Sequence, residues 1–148
     1  MSLKERLQQD WKDALKKGDK LRSTTISMVK AAILQMEKDT GSSPDDNKIV
    51  EILAKEVKQR KDAIEEFEKG KRQDLVEANK AEIQVLINYL PQQLTQEEVF
   101  EIVKASADEV GANSMKDMGK LMSVLMPKVK GRADGKMVTQ IVKEYLNK

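Results

Sequence analysis

Apolar residues recur every three or four positions along almost the whole of this chain, and nowhere do they alternate with polar ones over a strand's length. Leu3, Leu7, Trp11, Ala14 and Leu15 fall on one helical face, and Met28, Val29, Ala32, Ile33 and Met36 on another. Further stripes follow at Ile49, Ile52, Leu53, Val57, Ile64 and Phe67, and at Leu75, Val76, Ile83, Leu86, Ile87, Tyr89 and Leu90. A 3.6-residue period cannot sit as a strand, so the pattern commits the chain to an all-α fold. With 35% of residues charged and 3% aromatic, the apolar stripes are narrow and the solvated faces wide.

Start and stop signals divide the pattern into helices. Ser2 with Glu5 makes a capping box for the first helix, and Gly18-Asp19 interrupts it. The polar run Asp39–Asp46 reads as a loop, with Ser43 as the cap of the third helix, Pro44 at its first position and Asp46 at its third. Gly70 marks a break, and a fourth helix runs to Leu90, where Pro91 ends it. Thr95 with Glu98 forms a second capping box, Leu94 can staple onto Val99, and Gly111 closes that helix. Ser114 with Asp117 opens the next, whose apolar residues are Met118, Leu121, Met122 and Leu125, and Asp134 is placed to cap the last, which carries Met137, Val138, Ile141, Val142, Tyr145 and Leu146. The expectation is two small helical domains: about four helices over 1–90, then a three-helix domain over 95–148.

The chain has no cysteine and no histidine. Disulfides, thiol nucleophiles, imidazole or thiolate metal sites and histidine-dependent triads are therefore excluded. No apolar run approaches the ~20 residues of a membrane span. Met1-Ser2-Leu3-Lys4-Glu5 lacks the apolar core of a secretion signal, so a cytoplasmic location is expected. Gly41-Ser42-Ser43 has a superficial likeness to an amidase serine site, but the Pro44 and aspartates that follow make it a capping loop. Gly119-Lys120 lacks the earlier glycine of a phosphate-binding loop and has Leu121 at its Ser/Thr position. The carboxylate pairs Glu65-Glu66 and Glu97-Glu98 point apart on a helix. No catalytic residue, metal site or cofactor is expected.

Charge is the remaining clue. Residues 115–148 carry eight Lys and Arg against three Asp and Glu, whereas 1–94 carry 18 against 17. Within that basic quarter, Gly119, Pro127, Gly131 and Gly135 lie among Lys120, Lys128, Lys130, Arg132 and Lys136, and the whole stretch from Met118 to Gly135 reads as a connection with a specific backbone path. Lys128, Lys130 and Arg132 alternate, which in an extended segment faces them to one side, and glycine amides beside a helix start suit a phosphate. Asp134 competes for those amides. Two readings stand: a phosphate-contacting surface, or a tight turn whose lysines are merely solvated. Met118, Met122, Met126 and Met137 read as core packing rather than an adaptable groove, and Lys58, Arg60 and Lys61 as a solvated face rather than an extension of a nucleic-acid surface.

Tyr89-Leu90-Pro91-Gln92-Gln93-Leu94-Thr95, Met118-Gly119-Lys120 and Pro127-Lys128-Val129-Lys130-Gly131-Arg132-Ala133-Asp134-Gly135 resemble the hallmark segments of the YqeY family. Lys58-Gln59-Arg60-Lys61-Asp62 and Arg72-Gln73-Asp74-Leu75 are similar to further family segments. The resemblance implies a two-domain helical protein related to the tail of the B subunit of the glutamine-dependent tRNA amidotransferase, a tail that contacts tRNA. It implies tRNA and amidotransferase subunits as partners, with no DNA specificity. The ATP- and magnesium-dependent core of that subunit has no counterpart here. The expected role is thus a non-catalytic accessory module binding tRNA through Lys120, Lys128, Lys130, Arg132 and Lys136. A protein-docking module is the alternative. Participation in carbon–nitrogen ligase activity with glutamine as amide donor is a weaker one.

Overall fold

The computed structural model describes residues 1–147. Among them are seven α-helices and one 3-10 turn, with no strand. The helices are α1 (Leu3–Lys17), α2 (Lys20–Thr40), α3 (Asp46–Lys69), α4 (Gln73–Ile87), α5 (Gln96–Val110), α6 (Met118–Val129) and α7 (Gly135–Leu146); the 3-10 turn is Met115–Asp117. The all-α expectation holds. Contacts gather the chain into two compact units, Met1–Leu90 and the residues from Pro91 onward.

In the first unit, Ser2 Oγ accepts the amide of Glu5, and Gly18 takes the left-handed conformation that ends α1. Asp19 caps α2 one residue later. Such adjacent stop and start signals fold α2 back beside α1. α3 starts two residues later than the sequence predicts. Asp45 rather than Ser43 is its cap, accepting the Lys48 amide at 2.9 Å. Asp46 Oδ1 meanwhile accepts the amide of Leu3 at 3.0 Å, a first-turn donor of α1 that no helical carbonyl can reach. One dipeptide therefore satisfies two helix starts, which Ser43 is too far upstream to do.

The α3–α4 turn also departs from expectation. Gly70 is the cap but keeps an ordinary φ of −82°, and the left-handed residue is Lys71 at φ 57°. The turn closes through Arg72 N–H to Phe67 O at 2.9 Å and Lys71 N–H to Glu68 O at 3.1 Å. α4 ends at Ile87, short of Leu90, because its last residues tighten into i→i+3 bonds from Tyr89 to Leu86 O and Leu90 to Ile87 O. Pro91 disfavours a helical Leu90, and Tyr89 has its own anchorage. Its ring is 5% exposed, its hydroxyl donates to Asp10 and the Arg6 guanidinium lies 4.7 Å over its face. Burial first, and then the Asp10 carboxylate, push the Tyr89 phenol up to about 12. The core of this unit joins Leu7, Ile26, Val29, Ile33, Ile49, Leu53 and Leu86 from all four helices. A fully buried aliphatic side chain of this kind contributes about 1.5–3 kcal/mol.

Arg60 overturns the expectation of a solvated face. It is 5% exposed. Its Nε donates to Glu82 at 3.2 Å, one terminal nitrogen to the Glu56 carbonyl at 3.0 Å and the other to the Met28 sulfur at 3.3 Å. Lys58, by contrast, is exposed and pairs with Asp62 four residues on.

In the second unit, Thr95 and Glu98 close a reciprocal capping box at the start of α5, and Gly111 ends the helix in the left-handed conformation. Ser114 caps nothing with its side chain; Asp117 Oδ2 accepts the Asn113 amide at 3.1 Å and Met115–Asp117 form the 3-10 turn. α5, α6 and α7 bury Val99, Val103, Leu121, Leu125, Val129, Val138 and Val142 in a common core. Met118, Met122, Met126 and Met137 are partly buried against it, as the packing reading expects.

Candidate nucleic-acid interface

The helix expected from Met118, Leu121, Met122 and Leu125 is present, and it runs on to take up most of the stretch that also reads as a connection. α6 runs straight through Gly119 and Pro127. Leu121, Leu125 and Val129 explain why: each is at most 1% exposed, and holding all three in the core requires the helix to persist to Val129. Pro127 forfeits one backbone bond in the penultimate turn, and the ladder resumes with Lys130 N–H to Met126 O at 2.9 Å. Gly119 has open space where a Cβ would stand, so it is a weak helix residue rather than a turn residue.

The true connection is Lys130–Asp134. Lys130 has φ −58° and ψ 127°, Gly131 has φ 74°, and Arg132 N–H reaches Val129 O at 2.9 Å. Those are the features of a type II turn, which places glycine third because its φ must be positive. Asp134 then caps α7, accepting the Lys136 amide at 3.0 Å, so the competition for that amide is resolved in favour of the cap. Gly135 is the first helical residue and also faces open space.

This turn is tied to the segment before α5. Leu94 N–H donates to Arg132 O at 2.8 Å, the Gln93 amide to Gly131 O at 2.9 Å and Arg132 Nε to Gln92 O at 3.3 Å. Two sequence segments 40 residues apart, each singled out on its own, are therefore one hydrogen-bonded assembly. Nothing in either segment announces the other, since the partners are mostly backbone carbonyls, which every residue has.

The basic side chains divide accordingly. Lys128, at the end of α6, is not in line with Lys130 and Arg132; its ammonium reaches Glu109 at 2.9 Å and Ser106 at 3.1 Å across to α5. The alternation argument thus fails, because Lys128 is helical and the residues after it turn. Arg132 is half-buried and points back to Gln92. Lys130 and Lys136 are exposed on either side of the turn. Lys120 is exposed in the first turn of α6, about 12 Å along the helix from Lys128 at 1.5 Å per residue. Four of the five cations are therefore gathered around the α6–α7 turn, and Lys120 is displaced from them. Ion pairs as exposed as Lys128–Glu109, with side chains 41% and 59% accessible, contribute at most about 1 kcal/mol and exchange readily for another anion.

Among the described residues no group of three or more Asp and Glu is placed to hold a metal ion, and no helix is long and apolar enough to cross a membrane.

The family model for Yqey-like proteins matches residues 4–146. The chain is 31% identical over 144 residues to "Altered inheritance of mitochondria protein 41, mitochondrial" of Pyrenophora tritici-repentis, covering 95% of this chain and 79% of that protein. It is 44% identical over 84 residues to the protein of the same name from Kluyveromyces lactis, covering 56% of this chain but only 45% of that one. The match thus spans less than half of the Kluyveromyces protein. These relatives correct the expectation of a cytoplasmic location, since both are named as mitochondrial proteins.

Proposed function

Because the chain belongs to the YqeY family, we propose that it serves as a non-catalytic accessory module that contacts tRNA through the cations flanking the α6–α7 turn. The observation that carries this reading is the surplus of five positive charges in residues 115–148, with Lys128, Lys130 and Lys136 exposed around one turn. Arg132 has a different part from the one its sequence position suggests: it braces the turn from within and leaves the phosphates to its neighbours. Lys120 extends the surface along α6. Phosphate-directed cations orient a nucleic acid without reading its bases, so the module recognises a backbone and gains selectivity from whatever else it is docked on.

Affinity for bulk tRNA, followed by fluorescence anisotropy over a salt series, tests the reading. Changing Lys128, Lys130 and Lys136 together to Gln is expected to weaken binding and to flatten the log–log salt slope by roughly 2 to 3, at ~0.9 for each duplex phosphate that is no longer neutralised. Absence of a complex at low salt, or a slope indifferent to the triple change, refutes it.

A further inference from the structure

The first unit has a feature that the tRNA reading does not use. Between α1 and α2 runs an open trough of about 940 Å³, near the upper end of the ~300–1,000 Å³ that binding clefts span. Its floor is the buried Leu7 and Ile33, and Ala31 and Leu34 rise along one wall. Leu34 is 53% exposed although it sits on a helix with a well-filled core face. One turn beyond Trp11, on the same stripe of α1, Leu15 is likewise 53% exposed.

The two ends of the trough differ in charge. At one end Lys4 is consumed by Glu37 at 3.2 Å and by Ser43 at 3.3 Å. At the other, Lys30 lies over the Trp11 ring, 3.5 Å from its centroid, while the indole N–H is held by Ser27 at 2.9 Å. Among the described residues, no carboxylate forms an ion pair with Lys30 or with its neighbour Lys12. The Lys30 ammonium is pushed below the ordinary lysine range, by burial first and by the Lys12 charge second. An anion delivered there relieves a like-charge repulsion and meets no competing partner.

We infer that the α1–α2 trough docks a segment of a protein partner that presents a large apolar side chain to Leu34 and Ala31 and an Asp or Glu carboxylate to Lys30 and Lys12. Charge complementarity selects the occupant. A nucleic-acid backbone brings repeated negative charge and finds Lys30, with Lys12 beside it, at one end only; of the other charged lining residues Lys4 is already paired, and Glu5 and Glu37 are carboxylates that repel a phosphate. An acidic amphipathic helix brings both chemistries at the i, i+3 and i+4 spacing that a helix-lined groove reads. This docking is independent of the tRNA reading, which concerns the other unit.

A phage-displayed library of random peptides, panned on the full-length chain, tests the inference. Enriched peptides are expected to combine Leu, Ile, Phe or Met with Asp or Glu within about one helical turn. Their synthetic forms should lose at least about tenfold in affinity to Lys30→Glu and to Leu34→Asp, and should bind more weakly as salt rises. Both substituted positions are at least partly exposed, and an unchanged far-ultraviolet dichroism spectrum establishes that the variants fold. Enrichment without acidic residues, binding indifferent to both substitutions, or no enrichment at all overturns the proposal. So does saturable binding of dodecanoate to the trough with no peptide selected, which assigns it to an anionic amphiphile. Retardation of tRNA is expected to be unaffected by Lys30→Glu; its loss makes the trough part of an RNA surface instead.

Discussion

Arg60 is the residue whose removal tests the structure most severely. Its guanidinium is held between Glu82 on α4 and both the carbonyl and the carboxylate of Glu56, the last at 3.8 Å, and the side chain is 6% accessible. Glu56 and Glu82 keep 14% and 24% of their own side chains accessible. Arg60→Ala leaves two carboxylates aimed at the same vacated space, together with the cavity of a missing methylene stem. Breaking a fully buried pair costs about 3–5 kcal/mol. The partial hydration of Glu82 reduces the expectation here to about 2–4 kcal/mol. Replacing all three charges by Arg60→Met, Glu56→Gln and Glu82→Gln is expected to restore most of that loss, since the penalty comes from stranded charge. Trp11 is the sole tryptophan and lies in the first unit, so its fluorescence in a urea titration reports this unit. A double-mutant cycle between Arg60→Ala and Glu82→Gln should give a coupling of at least about 1 kcal/mol. A loss under about 0.5 kcal/mol for Arg60→Ala, or zero coupling, would mean that the guanidinium is not where the fold puts it.

Other perturbations have definite signs. The Tyr89 phenol, raised to about 12, contributes stability that is complete below the unfolded tyrosine value of about 10 and disappears as pH climbs through the folded value. The first unit should therefore lose stability selectively between about pH 10 and 12, and Tyr89→Phe should remove that component of the pH profile. Gly131→Ala forces a side chain onto a φ of 74° and should cost about 1 kcal/mol, whereas Gly119→Ala, in open helical space, should add about 0.5–1 kcal/mol; equal effects in thermal unfolding refute the placement of α6. Lys71→Gly should stabilise the first unit by about 0.5–1 kcal/mol, as a denaturant titration would show, because the residue at φ 57° carries a Cβ that glycine lacks.

What the sequence made readable was local. The caps Ser2, Thr95 with Glu98 and Asp134, and the stops Gly18 and Gly111, act through atoms two to four residues away, and each is found where pattern places it. That a helix carries Met118, Leu121, Met122 and Leu125 was readable, but its reach to Val129 was not, because Gly119 and Pro127 argue against helix locally and are outvoted by Leu121, Leu125 and Val129, whose reward depends on α5 and α7 being present. Arg60 was misread for the same reason. A charged residue among charged residues has the pattern of a solvated face, and only the approach of Glu82 from the next helix makes its burial tolerable. Of the candidate site, the identity of the cations was legible and their grouping was not. Lys128 leaves the row for Glu109, and Arg132 turns inward to a backbone carbonyl. The trough at Trp11 and Lys30 had no sequence signal, since 19 positions separate residues that meet only when α2 folds back on α1.

The bonds from Leu94 and Gln93 to the α6–α7 turn, and from Arg132 to Gln92, bear on where this protein can be cut. A fragment that begins at Thr95 starts neatly at a helix cap but discards the residues that staple its own basic turn. A fragment that begins at Pro91 retains them. The two should differ in amide-hydrogen exchange at Arg132 and its neighbours far more than four exposed or half-exposed residues suggest, and a protease that nicks ahead of Gln92 should spare the turn where one that nicks after Leu94 loosens it.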